Sequence, residues 1–358
     1  MSANYPIIFI VSVLLTIIST LLVKYLAGRF NIVDKPVLDR KIHKTNVPLL
    51  GGLAIFLSFF IMLYFVRGQL LSGNLQVHHW LGFFFGACLL MIGGFLDDKY
   101  NLKPSRQIIW PVLATLAVIA GGVSIGKITN PFGGFLYLDE WKIPITEWGG
   151  AMRYFVVISD LLIMAWLLGM MYTTKLLDGL DGLVSGICAI GGIIIFLFTI
   201  TTKYYQPDIG LAALIFSACC LGFLIFNWHP AKIFLGEGGS LLLGYILGVL
   251  AIISGGKIAI ALLVMGIPIL DVVWTILRRL AVGKNPFKFA DRGHLHFRLF
   301  DLGLGQRKTA LIFYLLAIVF GLSGLFLQSL GKIFALFILF VLMLILVIGF
   351  SLLDRKKA

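Results

Sequence analysis

The chain has 358 residues, of which 60% are hydrophobic and only 13% are charged. Soluble domains are about half apolar and about a quarter charged, so this composition excludes an ordinary soluble protein. The net charge of +13 would suit nucleic acid, but basic residues that flank apolar segments are also typical of membrane proteins. Their distribution favours the second explanation, and no nucleic-acid partner is expected.

Long charge-free runs predict membrane-spanning helices, because about 18 or more apolar residues are enough to cross the hydrocarbon core. A backbone in lipid must satisfy its own hydrogen bonds, which favours helices. We therefore predict an all-α polytopic fold, organised as one domain over residues 1–358. About eleven spans are expected, at residues 5–27, 49–66, 79–96, 107–126, 152–172, 180–201, 209–227, 237–254, 257–278, 309–329 and 331–353.

The basic residues are distributed unevenly between the two sets of loops. With the amino terminus outside, 22 of the 29 Lys and Arg fall on the cytoplasmic side. By the positive-inside rule this predicts an N-out, C-in membrane protein. The residues suited to chemistry lie in the same inside loops, which predicts a site at the cytoplasmic face. Outside, residues 127–150 predict a small hairpin.

The first inside loop contains Arg40, Lys41 and His43, and the second span begins with Gly51 and Gly52. These basic side chains suit a lipid phosphate or a nucleotide. Charge that sets the membrane topology explains them nearly as well.

The third span ends in Asp97 and Asp98. Adjacent residues on a helix point about 100° apart, so the two carboxylates should have different roles. One would face a metal or a phosphate while the other anchors the local chain. The alternative is an ordinary charged helix end.

The next inside segment runs from Lys175 through Asp178 and Asp181, each of which precedes a glycine. Acidic residues three apart would share one face if the segment were helical. The glycines would let backbone or ligand approach closely. Asp-Gly pairs alone usually indicate turns, but two of them at the mouth of an apolar span indicate a site.

The eighth span is preceded by Asn227 and opens on Gly236, Glu237 and Gly238. Glycines before a helix expose backbone N–H groups that suit phosphate. A carboxylate there suits Mg²⁺, a hard cation that often bridges protein carboxylate and substrate phosphate. The alternative is an acidic residue placed at a helix start by the macrodipole.

The last inside loop contains Arg292, His294, His296 and Arg298. Two histidines at i, i+2 are a weak metal motif, and beside two arginines they favour phosphate binding. A solvated basic loop is the alternative. Asp271 lies about two turns from the cytoplasmic end of its predicted span.

Together these motifs resemble those of the polyprenyl-phosphate N-acetylhexosamine-1-phosphate transferases of glycosyltransferase family 4. The resemblance covers residues 34 to about 308. The motifs keep the family's order: Arg-Lys-x-His with Pro-x-x-Gly-Gly, Asp-Asp, Asp-Gly-x-Asp-Gly-Leu, Pro-Ala-x-x-Phe-x-Gly-acid-x-Gly-Ser, and Asp-Arg-x-His-x-His-x-Arg. The last form and the eleven spans resemble the undecaprenyl-phosphate GlcNAc-1-phosphate transferase branch. The phospho-MurNAc-pentapeptide transferases, which tend to carry three consecutive histidines there, are the alternative.

The resemblance implies an enzyme that moves N-acetylhexosamine-1-phosphate from a UDP-sugar to undecaprenyl phosphate and releases UMP, as the first membrane step of cell-envelope glycan synthesis. It implies Mg²⁺, with Mn²⁺ as the alternative, held by Glu237 and Asp98. Catalytic roles are implied for Asp97, Asp98, His294 and His296. Substrate contacts are implied for Lys41, His43, Lys175, Asp178, Asp181, Asn227, Asp271, Arg292 and Arg298. Homodimerisation is left open.

Two positions depart from the family's pattern. Lys175 stands where the family usually has Asn, and Glu237 stands where it usually has Asp. The Asn is linked to Mg²⁺ in relatives, and a lysine is a poor metal ligand, so Lys175 would contact pyrophosphate directly. Asp97 would accept a proton from the lipid phosphate, and a covalent route through Asp97 or Asp98 is the alternative.

A secondary transporter is the alternative from another class of protein. Transporter sites lie near the middle of the membrane, whereas the acids here gather at one face. Asp160, well inside a predicted span, has no assigned role, and Arg153 is its suggested partner.

Overall fold

The computed structural model describes residues 4–36, 46–73, 75–130, 133–148, 151–201, 205–254, 258–281, 283 and 293–357. Its helices are α1 (Tyr5–Arg29), α2 (Gly51–Phe65), α3 (Arg67–Leu70), α4 (Val77–Tyr100), α5 (Pro104–Gln107), α6 (Ile109–Ala120), α7 (Val157–Leu177), α8 (Leu183–Thr201), α9 (Pro207–Asn227), α10 (Gly236–Ile253), α11 (Ile258–Val264), α12 (Gly266–Ala281), α13 (Leu295–Leu299), α14 (Gly305–Phe326) and α15 (Ser329–Lys357). A short π-helical turn, Phe300–Leu304, joins α13 to α14.

A multi-pass membrane protein is confirmed by the lengths and composition of these helices. Among the described residues, eight helical segments are long and apolar enough to cross a membrane, and α11 with α12 forms a ninth that is bent by 79°. Two further apolar helices, Gly51–Phe65 and Pro104–Ala120, are shorter. Each of the eleven predicted ranges therefore overlaps a helix, although two of these helices are shorter than an ordinary crossing, and the count of eleven spans stays a prediction. The N-out orientation stays a prediction.

Three two-stranded antiparallel sheets occur in the described loops. They are β1 (Val33–Asp34) with β2 (Val47–Pro48), β3 (Lys127–Thr129) with β4 (Phe135–Tyr137), and β5 (Lys142–Trp148) with β6 (Ala151–Val156). The single hairpin predicted between residues 127 and 150 is thus two hairpins. Because β6 continues to Val156, the fifth span begins later than the sequence suggested. The all-α description holds for the membrane part of the chain.

Helix α10 forms the centre of the molecule and packs against α2, α4, α7, α8 and α9. Its residues are almost all buried. The outer helices α1 and α15 instead expose apolar side chains, such as Ile18 (64% exposed) and Phe334 (65% exposed). In a membrane protein such surfaces suit contact with lipid tails. The charged start of α10 is therefore carried by the most enclosed helix of the bundle.

Pairs of glycines bring the start of α10 close to two other helices. A Cβ on Gly94 of α4 would lie 2.1 Å from the Cα of Gly238, and a Cβ on Gly52 of α2 would lie 2.1 Å from the Cα of Gly239. No side chain larger than hydrogen fits at such contacts, which is the usual way for membrane helices to approach closely. These contacts place the end of α4 beside the start of α10.

Candidate active site

The carboxylate of Asp98 lies over the first turn of α10. Its Oδ1 accepts a hydrogen bond from the backbone N–H of Glu237 at 3.0 Å. Gly236, with φ of +75°, allows this turn, and a Cβ there would lie 2.4 Å from Asp98 Oδ2. The first N–H groups of a helix lack partners within the helix and carry partial positive charge, so a carboxylate is stabilised there.

Glu237 forms an ion pair with Lys175 from the last turn of α7. Lys175 Nζ contacts Glu237 Oε1, and both side chains are about one-fifth exposed. The same ammonium donates to Gln107 Oε1 at 3.1 Å. The ion pair therefore joins α7 to α10, and Gln107 holds the lysine from a second side.

Asp97 points away from Asp98 and anchors the chain that follows α4. Its Oδ1 accepts hydrogen bonds from the backbone N–H of Leu102 at 2.8 Å and from Gln107 Nε2 at 3.0 Å. The expectation that the two adjacent carboxylates have different environments agrees with this geometry. Asp97 as a proton acceptor stays a prediction, and the structure adds its indirect link to Lys175 through Gln107.

The segment that carries Asp178 and Asp181 is a turn between α7 and α8, so the face-sharing expected of a helix is wrong. Gly182, with φ of +77°, turns the chain into α8. Asp178 lies at the surface of this turn. Reduced access to bulk water, with the negative charges of Glu237, Asp181 and Asp98, raises the pKa of Asp178 to about 8. The raised pKa favours the protonated form of Asp178 at neutral pH.

Asp181 binds the loop that precedes α10. Its Oδ2 lies 2.6 Å from His229 Nδ1 and accepts from the backbone N–H of Ala231 at 3.1 Å. The backbone N–H of Asp181 donates to Gln306 Oε1 at 2.9 Å, which connects the same turn to α14. His229 and Gln306 were not among the predicted site residues. His229, beside a proline at the end of a span, was the visible signal.

Asn227 is buried and hydrogen-bonded to three protein groups. Its Oδ1 accepts from the backbone N–H of Gly182 at 3.1 Å and from Ser185 Oγ at 2.9 Å, and its Nδ2 donates to the carbonyl of Ile233 at 3.0 Å. The amide joins the end of α9 to the start of α8 and to the following loop. The geometry gives Asn227 a positioning role, and its predicted substrate contact stays a prediction.

Asp271 and His294 form a buried pair between α12 and α13. His294 Nδ1 lies 2.9 Å from Asp271 Oδ2, and Asp271 Oδ1 accepts from the backbone N–H of Leu295 at 2.9 Å. Both side chains are about 5% exposed. Asp271 thus holds the first turn of α13 and the ring of His294, which makes it a positioning residue for the histidine motif.

His296 is completely buried, and neither ring nitrogen has a hydrogen-bond partner among the described residues. Its ring is nearly parallel to that of His294, with centroids 5.7 Å apart. Nε2 faces Gly179, where a Cβ would lie 2.6 Å away. Buried polar atoms without partners are rare and usually have a functional reason. The contact brings the histidine motif against the Asp-Gly turn.

The remaining predicted residues are a lysine, a histidine and two arginines. Arg298 Nε donates to the carbonyl of Gly293 at 3.1 Å, which closes the start of α13. Lys41, His43 and Arg292 lie outside the described residues. The structure thus brings together Asp98, Lys175, Asp178 and Glu237, which we call the carboxylate cluster. A second group, the histidine segment (residues 293–298), lies against the adjoining turn.

The metal predicted at Glu237 and Asp98 does not fit the donors as they are arranged. Mg²⁺ requires several oxygen ligands at short distances. Glu237 Oε1 is engaged by the Lys175 ammonium, and Asp98 Oδ1 accepts a backbone N–H. Within the described part of the chain, no three His, Cys, Asp or Glu side chains are grouped to hold a metal. Dependence on Mg²⁺ or Mn²⁺ stays a prediction of the resemblance.

Comparison with known proteins identifies the family. Residues 80–255 match the profile of "Glycosyl transferase family 4". A Bacillus subtilis protein named "Probable undecaprenyl-phosphate N-acetylglucosaminyl 1-phosphate transferase" is 32% identical over 97% of this chain and 92% of its own length. The chain belongs to glycosyltransferase family 4. Within it, the relatives place the chain among the polyprenyl-phosphate N-acetylhexosamine-1-phosphate transferases, so this family 4 protein is a membrane phospho-sugar transferase.

Two other family 4 relatives show the range of activities. The "Undecaprenyl-phosphate alpha-N-acetylglucosaminyl 1-phosphate transferase" of Thermotoga maritima is 31% identical over 92% of each chain. The "Phospho-N-acetylmuramoyl-pentapeptide-transferase" of Oceanobacillus iheyensis is 30% identical over 80% of this chain and 85% of its own length. The matched region of the family profile includes the carboxylate cluster and ends before the histidine segment.

Proposed function

We propose that the protein transfers N-acetylglucosamine-1-phosphate from UDP-N-acetylglucosamine to undecaprenyl phosphate at the cytoplasmic face of a bacterial inner membrane. The observation that carries this proposal is the gathering of the charged motifs at one end of the helical bundle. The carboxylate cluster and the histidine segment come from distant parts of the chain, and the contact of Gly179 with His296 joins them. This end of the bundle is a suitable position for a site that binds two anionic reactants, one of them a lipid.

The reaction is a displacement at phosphorus. An oxygen of the lipid phosphate attacks the β-phosphorus of the UDP-sugar, a new P–O bond forms, and the bond between β-phosphorus and the bridging oxygen breaks. UMP leaves with that oxygen, and the product is a lipid diphosphate that carries the sugar. The lipid phosphate is already ionised at neutral pH, so catalysis is mainly alignment and charge stabilisation.

The residues of this chain divide that work. Lys175 donates to pyrophosphate oxygens, and Gln107 keeps the lysine oriented. His296 offers ring nitrogens that have no described protein partner, and His294, held by Asp271, lies beside it. These rings and Arg298 stabilise phosphate oxygens. Asp178, protonated at neutral pH, donates a hydrogen bond to the nucleotide or the sugar without repelling the phosphates.

The alternative substrate is UDP-MurNAc-pentapeptide, which the named activity of the Oceanobacillus iheyensis relative favours. Membranes that contain the protein are incubated with each labelled UDP-sugar and undecaprenyl phosphate, and butanol-extractable label and UMP are measured. Label from UDP-N-acetylglucosamine supports the proposal. Label only from UDP-MurNAc-pentapeptide selects the alternative, and no label from either substrate contradicts both.

A further inference from the structure

The Lys175 ammonium is fixed by two contacts from different helices. Its Nζ contacts Glu237 Oε1 of α10 and donates to Gln107 Oε1 of α5 at 3.1 Å. Gln107 is itself oriented, because its Nε2 donates to Asp97 Oδ1 at 3.0 Å and to the carbonyl of Leu102 at 3.0 Å. A flexible lysine side chain is thus held in one place before any ligand arrives.

The lysine lies where negative charge is concentrated. Asp98 accepts the backbone N–H of Glu237, and desolvation together with the negative charges of Glu237 and Asp98 raises the pKa of nearby Asp178. Partly buried carboxylates are unfavourable unless a cation or hydrogen bonds compensate them. Lys175 supplies that compensation to Glu237 directly, so the ion pair is part of the construction of the site.

An ammonium and a divalent cation compete for the same oxygen atoms. The ammonium has three hydrogen-bond donors and no lone pair, so it cannot ligate a metal, and it engages one oxygen of the carboxylate that Mg²⁺ would use. Its Nζ bonds leave one donor for a ligand oxygen, which suits a pyrophosphate.

We infer that the Lys175 ammonium is a built-in cation that takes the place of a divalent metal at the pyrophosphate, so that this enzyme transfers sugar phosphate without bound metal. The inference rests on the proposed function. Lys175 donates to the pyrophosphate and keeps its proton throughout, Glu237 and Gln107 hold it in position, and UMP leaves with its negative charge balanced by the ammonium.

The first arm of the test measures metal dependence of the reaction. Purified protein is treated with EDTA, and UMP release from UDP-N-acetylglucosamine and undecaprenyl phosphate is followed with and without added Mg²⁺. We expect the wild type to stay within about twofold of its untreated rate. Lys175→Asn exposes the carboxylates and should lose about 100-fold in EDTA, with recovery in Mg²⁺. Lys99→Asn, which removes a positive charge at the end of α4, is the matched control and should behave as the wild type.

The second arm measures metal binding without substrate. Mn²⁺ binding to each protein is followed by electron paramagnetic resonance. The wild type should show no site that depends on Glu237. Lys175→Asn should gain one Mn²⁺ site, and the Lys175→Asn/Glu237→Gln double variant should lose it. The thermal unfolding midpoint of each variant identifies any protein that fails to fold. If Lys175→Asn does not fold, the comparison of Mn²⁺ binding between the wild type and Glu237→Gln still decides the question.

Two results overturn the inference. One is a wild-type rate that falls by about tenfold or more in EDTA and returns with Mg²⁺. The other is a wild-type Mn²⁺ site that Glu237→Gln removes. If no protein transfers sugar phosphate with any metal, the proposed function fails, while the Mn²⁺ measurement still decides whether the ion pair replaces a metal site.

Discussion

The carboxylate cluster and the histidine segment differ in how far their polar side chains are paired with other protein groups. In the cluster, charges are concentrated and compensated: Lys175 pairs with Glu237, and the start of α10 caps Asp98. In the segment, His294 is held by Asp271, but His296 is buried with no described partner for its ring nitrogens. The cluster therefore has its electrostatics arranged before substrate arrives. In the segment, the ring nitrogens of His296 have no described partner, and a side chain that binds a ligand needs such available donors and acceptors.

Removing a charge from the cluster should have the largest effect on activity. Asp98→Asn weakens the interaction with the α10 amino terminus and unbalances the charges around Lys175. We expect UMP release to fall by about 1000-fold, the size of effect typical of lost preorganised electrostatics. Asp139→Asn is the control and should keep its activity, because Asp139 is an exposed carboxylate between β4 and β5 that pairs with Lys142. If Asp98→Asn and Glu237→Gln both retained full UMP release, the enzyme proposal itself would fail.

Separating α4 from α10 should break the cluster through packing alone. Gly94→Ala places a methyl group against Gly238, where no space exists. Overpacking of this kind costs about 1–3 kcal/mol and moves the backbone, and we expect a loss of about 100-fold in transfer with a lower thermal midpoint in detergent. Gly169→Ala, on α7 with nothing near its Cβ, should leave both quantities unchanged. Normal activity in Gly94→Ala would show that the close approach is not needed.

The histidine segment should lose activity without losing stability. His296→Leu removes a buried ring whose nitrogens have no described partner, so the thermal midpoint should stay equal or rise. Transfer should fall by about 100-fold because a donor to phosphate is gone. Phe297→Leu, next in the chain and also against Gly179, tests packing alone and should cost less than about tenfold. A His296→Leu protein with wild-type transfer and lower stability would reduce His296 to a packing residue.

The smallest effect should be a change in pH dependence at the edge of the cluster. The pKa of Asp178 is raised to about 8, so the group is neutral below that pH and becomes a carboxylate above it. A new negative charge there repels the anionic substrates, and wild-type transfer should fall by about tenfold between pH 7 and pH 9. Asp178→Asn cannot ionise and should show a flatter profile. Identical profiles for the two proteins would contradict this assignment.

The membrane class and the positions of the helices follow from local sequence properties. Long apolar runs require helices wherever they meet lipid, so each predicted range overlaps a helix, and eight or nine of the described helical segments are long enough to cross a membrane. The motifs were also visible, because acids and histidines at the ends of apolar runs are costly unless they serve a purpose. Periodicity was less reliable at the Asp178–Asp181 segment, where glycine turns the chain and prevents a helix.

Partners across the bundle were decided by the tertiary structure alone. Asp160 is a short-range example, because its Oδ2 accepts the backbone N–H of Val156 at 2.9 Å. This contact depends on β6 ending where α7 begins. The pairing of Lys175 with Glu237, the support from Gln107 and the contact of His296 with Gly179 depend on how helices pack. Glycine contacts between α4 and α10 set that packing, and no local pattern specifies which helix lies against which. The sequence by itself thus determined that charged and histidine side chains lie at the ends of membrane helices. Only the packing of the helices decided which charges compensate one another and which histidine ring has no described protein partner.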